Sequence, residues 1–379
     1  MEPLLETGRQ ALARDSGAYA LVMHDWSLLH FKGHDSKPDR IELSQSQDLG
    51  YELQAALLVS SADGHPLAPL SLSVRADGGV YCSRTWKVRS SRSNLDELEP
   101  AMEFVEQLGL KKPAVHILDA EADSIGHFRS WLRVPSRFFV VRADDRTVQQ
   151  AGQKRRFSAI VSQLWDQNAF RRVGEITCRG RQAHHWVAET TVTITSPARP
   201  NRRDGQPRRS IPGEPVTLRL VLSQIRWVEG SDPPIIWYLL TNLPAEVDAQ
   251  QAALWYYWRW KIESYFKLLK SAGQQIEQWQ QESAPALSRR LLIASMACVV
   301  IWQLAQDDSP EAVQLRDILI RLSGRQMKRG CAFTMPALLA GLWGLLSMFS
   351  ILEDHNLADL QKLAQQVLSF PRAGPNDDS

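Results

Sequence analysis

Short apolar runs separated by polar breaks organise the first 145 residues. Residues 1–18 are mixed in character and read as a helix and a lead-in. Tyr19–His24 (YALVMH) is a continuous apolar run, which predicts a buried strand ending at Asp25. Residues 53–60 (LQAALLVS) and 67–75 (LAPLSLSVR) predict two strands joined by a turn at Asp63-Gly64. A further turn at Asp77-Gly78-Gly79 leads to a short strand at 80–83. Asn94 reads as the cap of a helix reaching Leu110, with Leu95, Leu98, Met102, Phe104, Val105 and Leu108 largely at helical spacing. Ala114–Leu118 (AVHIL) is a strand ending at Asp119, followed by a helix over about 121–133 and a buried strand at Phe138–Val141. A three-strand meander followed by helix, strand, helix and strand predicts an α/β fold, a mixed sheet with helices packed on its faces. Ligands of such sheets gather at strand carboxyl ends, where Asp25 and Asp119 fall.

The pattern changes after residue 145. Strands are expected around 173–179, 185–195, 216–227 and 235–241, with a long loop over the Pro- and Arg-rich stretch 196–215. From Glu246 onward the spacing turns helical, over about 246–271, 284–305, 309–322, 336–350 and 356–368. The expected divisions are a lead-in (1–18), the first part of the sheet (19–145), a β-rich insertion (146–243), a helical completion of the core (244–305), a C-terminal helical region (306–370) and a tail (371–379).

Composition narrows the class. At 379 residues, 44% hydrophobic and 23% charged, the chain is globular rather than disordered or collagenous. Its four cysteines, at 82, 178, 298 and 331, are too scattered for a disulfide framework and form no C-x-x-C pair. His184 and His185 near Cys178 splay apart on a strand, so zinc is not expected. The first 25 residues carry Glu2, Glu6, Arg9, Arg14 and Asp15, so no secretory signal is expected there, and a cytoplasmic location follows. Residues 331–352 hold no charge, but Thr334, Pro336, Gly341, Gly344, Ser347 and Ser350 dilute their hydrophobicity. They read as a buried helix or an interface rather than a membrane span. The apolar run 291–302 reads as a core helix too short to span.

The net charge of +2 hides an uneven distribution. Residues 146–226 hold 15 Arg or Lys against 5 Asp or Glu, clustered as Lys154-Arg155-Arg156, Arg171-Arg172, Arg202-Arg203 and Arg208-Arg209. Such a region suits a polyanion, nucleic acid first.

The chemistry concentrates in LWYYWRWKIESYFKLLKSAG, residues 254–273. At about 100° per residue, Tyr256, Arg259, Glu263 and Lys270 share a helix stripe roughly 60° wide. Leu254, Ile262, Tyr265 and Leu269 lie on the opposite side. With Asp25 and Asp119, Glu263 gives three carboxylates and no nearby His or Cys, a donor set suited to Mg²⁺ or Mn²⁺. Two such ions can activate a water and stabilise the leaving oxygen in phosphodiester cleavage.

Tyr256-x2-Arg259-x3-Glu263-x6-Lys270 matches the Y-x2-R-x3-E-x6-K signature, and the chain resembles the bacterial insertion-sequence transposases that carry it. These are cut-and-paste DDE enzymes with a ribonuclease-H-like core. Leu118-Asp119-Ala120-Glu121-Ala122-Asp123 resembles the family's D-R-E-A-D strand end, and the likeness continues into Phe139-Val140-Val141-Arg142. Trp237-Tyr238-Leu239-Leu240-Thr241 resembles its W-L-L-L-T strand, and Leu322–Leu352 its C-terminal dimerisation region. The resemblance covers most of 19–352. It implies a ribonuclease-H-like sheet, with Asp25, Asp119 and Glu263 as catalytic carboxylates holding two Mg²⁺ ions, replaceable by Mn²⁺. It implies that Tyr256, Arg259 and Lys270 grip DNA phosphates, that Trp237 stacks on a flipped base, and that Arg142 contacts the DNA backbone. The partners implied are transposon-end and target DNA and a second copy of the chain, with no membrane.

The chain departs from the family in three places. Before Asp25 there is room for almost none of the helical end-recognition domain that usually precedes the first Asp. Ala120 stands where the family has Arg, removing a phosphate-binding charge. Asp25 is followed by Trp26 rather than Thr. Asp123 is a second candidate for the strand-end carboxylate, with Asp119 preferred. A DNA-binding remnant without catalysis, or a phosphohydrolase of small molecules, would share the same residues.

Overall fold

A computed structural model describes residues 1–45, 47–85, 88–90, 93–178, 180–198, 210–230 and 232–367. The expected tail at 371–379 and most of the Pro/Arg-rich loop lie outside these residues. The chain divides into two compact units, one formed by 1–271 and 275–299, the other by 272–274 and 300–379.

In the first unit, α1 (Glu2–Arg14) leads into β1 (Ala20–His30), β2 (Ile41–Glu42), β3 (Leu49–Ser60), β4 (Pro66–Ala76), β5 (Gly79–Cys82) and β6 (Val88–Arg89). A 3-10 turn at Asn94–Glu97 opens α2 (Leu98–Gln107). Then come β7 (Ala114–Leu118), a 3-10 turn at Ala120–Ala122, α3 (Ile125–Trp131), β8 (Phe138–Ala143), β9 (Thr147–Gln150), β10 (Gln153–Arg156) and α4 (Phe157–Asp166). Four strands follow: β11 (Arg171–Cys178), β12 (Arg181–Ile194), β13 (Val216–Trp227) and β14 (Ile235–Thr241). Next are α5 (Ala249–Tyr257), α6 (Trp260–Lys267) and α7 (Ala284–Gln306), whose last residues, from 300, belong to the second unit.

All the strands join one mixed sheet in the order β10-β9-β12-β13-β14-β8-β7-β1-β3-β4-β5-β6, with β11 on β12 and β2 on β3. Among the described strands, only the β1–β7 and β7–β8 pairings are parallel. The fold is therefore α/β with a large mixed sheet. The strands expected as an insertion continue this sheet through β14 against β8.

Strand alternation decides which face each helix covers. On one face Ala20, Val22, Ala56, Leu58 and Leu70 pack with Leu5 and Leu12 of α1 and Val105 of α2. Further along that face Phe139, Val141, Leu220, Leu222 and Leu240 pack with Phe128 and Trp131 of α3 and Phe157 and Ile160 of α4. Each fully buried Val, Leu, Ile or Phe among them stabilises the fold by about 1.5–3 kcal/mol. The opposite face is covered by α5 against β12 and β13, and by α6 against β1.

Several elements depart from the sequence reading. β1 does not end at Asp25: residues 25–30 stay paired with β3, from Asp25 opposite Ala55 to His30 opposite Gly50. The alternation Asp25-Trp26-Ser27 hid this, because a partly solvated strand half need not be apolar. Ser93, not Asn94, caps the turn before α2, accepting from Leu95 N while Asp96 accepts from Ser93 N. β9, β10 and α4 occupy a stretch where no elements were expected. The helix expected over 246–271 is two helices and a terminal π turn.

In the second unit, α8 (Pro310–Leu322) begins at Ser309, whose hydroxyl accepts from Ala312 N. It packs on α9 (Met335–Asp354), and α10 (Leu357–Val367) follows. Gly341 lets α9 approach closely: a Cβ there would lie 1.9 Å from the Leu319 carbonyl oxygen. The buried Arg316 donates to the carbonyls of Leu304 (2.7 Å) and Asp307 (2.6 Å), tying off the preceding helix end. The far half of α9 leaves Leu346, Phe349, Ile351 and Leu352 exposed.

Among the described residues two helices, α7 and α9, are long and apolar enough to cross a membrane. For α7 this corrects the sequence reading, because the 23-residue helix extends well beyond the apolar run. Half of its apolar window is buried, as in the core helix of a folded domain.

Candidate active site

Of four neighbouring strands, β14, β8 and β1 carry Trp237, Arg142 and Asp25, and Asp119 immediately follows β7. On β14 and β8 the core on the α3/α4 face takes Tyr238, Leu240, Phe139, Val141 and Ala143. Alternation therefore turns Trp237 and Arg142 to the α5/α6 face. On β1, Val22 belongs to the α1/α2 side and Asp25 to the other. Asp119 follows β7, its Oδ1 accepting from Ala120 N at 2.6 Å. Residues scattered from 25 to 237 are thus brought to one side of the sheet.

The helical half of the site is built around a tightened junction. Arg259 N donates to Tyr256 O, Lys261 N to Trp258 O and Ile262 N to Arg259 O, all i→i−3 bonds between α5 and α6. Gly64 seats this junction. It has φ of +72°, and a Cβ there would meet the Trp258 ring at 2.4 Å. At the other end, Leu268–Ala272 forms a π turn carrying Lys270. The stripe expected on one straight helix is therefore overwound before Glu263 and underwound after it.

Arg259 is the centre of the site. Its Nη1 donates to Asp25 Oδ2 at 2.7 Å, and its Nη2 lies 2.7 Å from Glu263 Oε1 and 3.3 Å from Asp119 Oδ2. The side chain is 5% exposed, and its Nε has no hydrogen-bond partner. All three carboxylates expected from the sequence converge, and they converge on a guanidinium. Arg142 Nε reaches Asp119 Oδ1 at 2.8 Å, and the Tyr256 hydroxyl donates to the same oxygen at 3.3 Å. Trp237 meets the Tyr256 ring edge-on, with centroids 5.3 Å apart. Asp123 is held elsewhere, ion-paired to Arg146 and accepting from Asp144 N. Of the two candidates for the strand-end carboxylate, only Asp119 reaches Arg259.

Lys270 stands slightly apart. Its Nζ donates to the Leu28 carbonyl at 2.6 Å and lies 3.3 Å from Glu277 Oε1. Glu277 also accepts from His30 N at 2.9 Å. Together they staple the π turn to the end of β1. Glu277 was not singled out in the sequence, because only the π turn brings it to Lys270. Trp260, 54% exposed and with its ring 5.6 Å from the Arg259 guanidinium carbon, was also missed.

Burial pushes the Asp25 carboxyl up to about 6; Arg259 and the Trp26 N–H oppose this, while Asp119 and Glu263 add to it. Burial by itself would lower the Arg259 guanidinium, but Tyr256 and the three carboxylates outweigh it and raise it. Burial and the charge of Asp119 raise the Tyr256 phenol. The site therefore concentrates three carboxylates against the guanidinium groups of Arg259 and Arg142. Its donors are all carboxylate oxygens, which suit a hard divalent cation. As the side chains lie, no three acidic, His or Cys groups among the described residues are grouped closely enough to hold a metal ion.

The basic region is largely ion-paired where it is described. Arg156 pairs with Asp145, Arg171 with Asp248, Arg172 with Glu175, Arg181 with Asp232 and Arg219 with Glu189. Its Arg202-Arg203 and Arg208-Arg209 clusters lie outside the described residues.

No protein-family model matches the chain, and no curated protein matches it.

Proposed function

We propose that the chain is a DDE-type DNA transposase that cleaves and joins DNA strands with Mg²⁺, with Mn²⁺ able to substitute. The observation that carries this reading is the meeting of Asp25, Asp119 and Glu263 on Arg259. Two-ion phosphodiester chemistry requires carboxylates from distant parts of the chain to converge on one place, and these three do. The order β8-β7-β1-β3-β4, with only the first three mutually parallel, supports the ribonuclease-H-like reading of the sheet.

Bound to these carboxylates, two divalent ions supply activation of the attacking oxygen and stabilisation of the leaving oxygen. The chain's own groups do the rest. Arg142 and Arg259 hold the phosphates flanking the scissile bond, through charge-assisted donors that fit phosphate oxygens. Tyr256 donates its hydroxyl to a phosphate oxygen while the junction between α5 and α6 fixes its ring. Trp237, backed by that ring, stacks on a base taken out of the duplex. Lys270 anchors the π turn to β1 and adds positive charge beside the DNA path. Hydrolysis breaks the P–O3′ bond and leaves a 3′-hydroxyl. That hydroxyl then attacks a phosphorus of the opposite strand and expels the flanking strand's 3′-oxygen to give a hairpin; water opens the hairpin and restores the 3′-hydroxyl, which attacks a target phosphorus and displaces a target 3′-oxygen. The exposed apolar face of α9 serves to pair two copies on DNA.

The test is strand cleavage of duplexes carrying the element's own ends, in Mg²⁺ and in Mn²⁺. Wild-type protein is expected to leave 3′-hydroxyl ends, and Asp119→Asn and Glu263→Gln to leave the DNA intact. Cleavage that persists in both variants contradicts the reading. Salt-sensitive DNA binding with no cleavage in either metal favours a binding-only remnant.

A further inference from the structure

We propose that Arg259 is a gate on metal loading: its guanidinium holds the three carboxylates closed and yields them when a DNA phosphate takes it. This rests on reading the site as a divalent-metal nuclease, and it adds an order of events, phosphate before metal.

The geometry makes the two occupants exclusive. Arg259 places Nη1 on Asp25 and Nη2 between Glu263 and Asp119, so one planar group spans all three acids. A Mg²⁺ ion needs oxygens at about 2.0–2.1 Å in near-octahedral array, which the intervening guanidinium prevents. The spacing found here is set by hydrogen bonds to nitrogen, and it leaves no closely grouped donor set for a metal among the described residues.

The same geometry provides a way out. Arg259 Nε is buried with no partner, so the closed state leaves one donor unsatisfied. A phosphodiester offers two oxygens to a guanidinium in the fork geometry that arginine favours. The rings of Tyr256 and Trp260 lie 5.9 and 5.6 Å from the guanidinium carbon, and Trp260 is 54% exposed. A swing toward the Trp260 side keeps a cation–π contact while uncovering the acids. Once uncovered, the three carboxylates keep Arg142 on Asp119 as an ion pair, and their remaining negative charge draws a metal cation into the site. Metal-dependent cleavage is thereby confined to protein already carrying DNA.

The experiment is a titration of the full-length protein with Mn²⁺ alone, following free Mn²⁺ by electron paramagnetic resonance, and then its repetition with a short DNA duplex. Without DNA, Arg259→Gln is expected to bind Mn²⁺ at least about 10-fold more tightly than wild type, the equivalent of one decade in Kd. DNA is expected to tighten wild-type binding by more than it tightens the variant. Arg259→Lys, whose single ammonium cannot span three carboxylates, is expected to fall between; it serves as the test if the glutamine variant loses its far-ultraviolet circular dichroism. Asp119→Asn reports whether the ion counted is the one at this site. If Arg259→Gln and Arg259→Lys bind Mn²⁺ no more tightly than wild type, and Asp119→Asn removes that binding, the gate is wrong and the metal site stands. If no form binds Mn²⁺ with or without DNA, the metal-site reading falls and the gate falls with it.

Discussion

Arg259 and Asp25, 234 residues apart in the chain, meet through a 2.7 Å bond between a nearly buried guanidinium and a carboxylate. Asp25 pays for this position in proton affinity, since burial holds its carboxyl near 6. An unfolded aspartate titrates near 4. A carboxyl raised on folding favours the folded state below its unfolded value, and that advantage is lost as pH rises through the folded value. At pH 7 the ionised Asp25 therefore destabilises the fold, by an amount on the order of 1–3 kcal/mol. Asp25→Asn is expected to leave the melting temperature at pH 7 unchanged or higher while abolishing Mg²⁺-dependent cleavage. Thermal melts beside a cleavage assay check this. A marked fall in melting temperature would show that the charge is a structural need and not a functional one.

Trp237 stands edge-on to Tyr256, partly exposed on the same side of the sheet as the carboxylates. If it stacks on an extruded base, Trp237→Ala loses about 1–3 kcal/mol of that contact. Cleavage after the first nick should slow by about 5- to 100-fold, with Trp237→Phe closer to wild type. Single-turnover kinetics on pre-nicked ends measure the step. A rate unchanged in the alanine variant would assign Trp237 to packing alone.

The face of α9 carrying Leu346, Phe349 and Leu352 is exposed in the single chain. Phe349→Asp places a charge on that apolar face and is expected to reduce the DNA complex from two protein copies to one, with the melting temperature little changed. Analytical ultracentrifugation with DNA reads the stoichiometry. Two copies retained in the variant would move the pairing surface elsewhere.

His24 and His116 form a fully buried pair, with Nε2 of one 2.8 Å from Nδ1 of the other. One nitrogen must donate and the other accept, so the two rings cannot both be protonated. Burial lowers His24 to about 3, helped by Arg84, and lowers His116, helped by His24 and Arg137. Glu106, 4.0 Å from His116 Nε2, is already engaged by Arg137. A histidine whose value falls on folding stabilises fully above its unfolded value near 6.5 and progressively less as pH drops toward the folded value. Each such ring contributes up to about 1.4 kcal/mol of lost stability per pH unit across that window. Denaturant unfolding between pH 7.5 and 4.5 should show a steep acid limb, flattened in a His24→Leu, His116→Leu double variant. Parallel curves would mean that other groups set the acid limb.

The central strands and the carboxylates were legible because buried strands are apolar runs and the acids that end or interrupt them stand out. β7 was expected with the bounds it has, and Asp119 immediately after it. The second half of β1 was not, because Trp26–His30 mixes polar and apolar positions while hydrogen bonding to β3 keeps it extended. The joint action of Tyr256, Arg259 and Glu263 was visible as spacing. That spacing assumed an even helix, whereas the i→i−3 bonds at Arg259 and the π turn at Lys270 are tertiary adjustments with no residue pattern of their own. Hence the resting partners of Lys270, the Leu28 carbonyl and Glu277, had no signal in the sequence. The partner of the carboxylates was also hidden. Arg259 and Glu263 read as an i,i+4 pair, and only the sheet brings Asp25 and Asp119 to the same guanidinium.

The most direct test of the account is a crystal structure of the protein with a short DNA duplex and Mn²⁺, read by anomalous scattering. The account predicts anomalous peaks bonded to oxygens of Asp25, Asp119 and Glu263, with Arg259 turned onto a DNA phosphate. Mn²⁺ bound elsewhere, with the three carboxylates still closed on Arg259 while DNA occupies the protein, would contradict it.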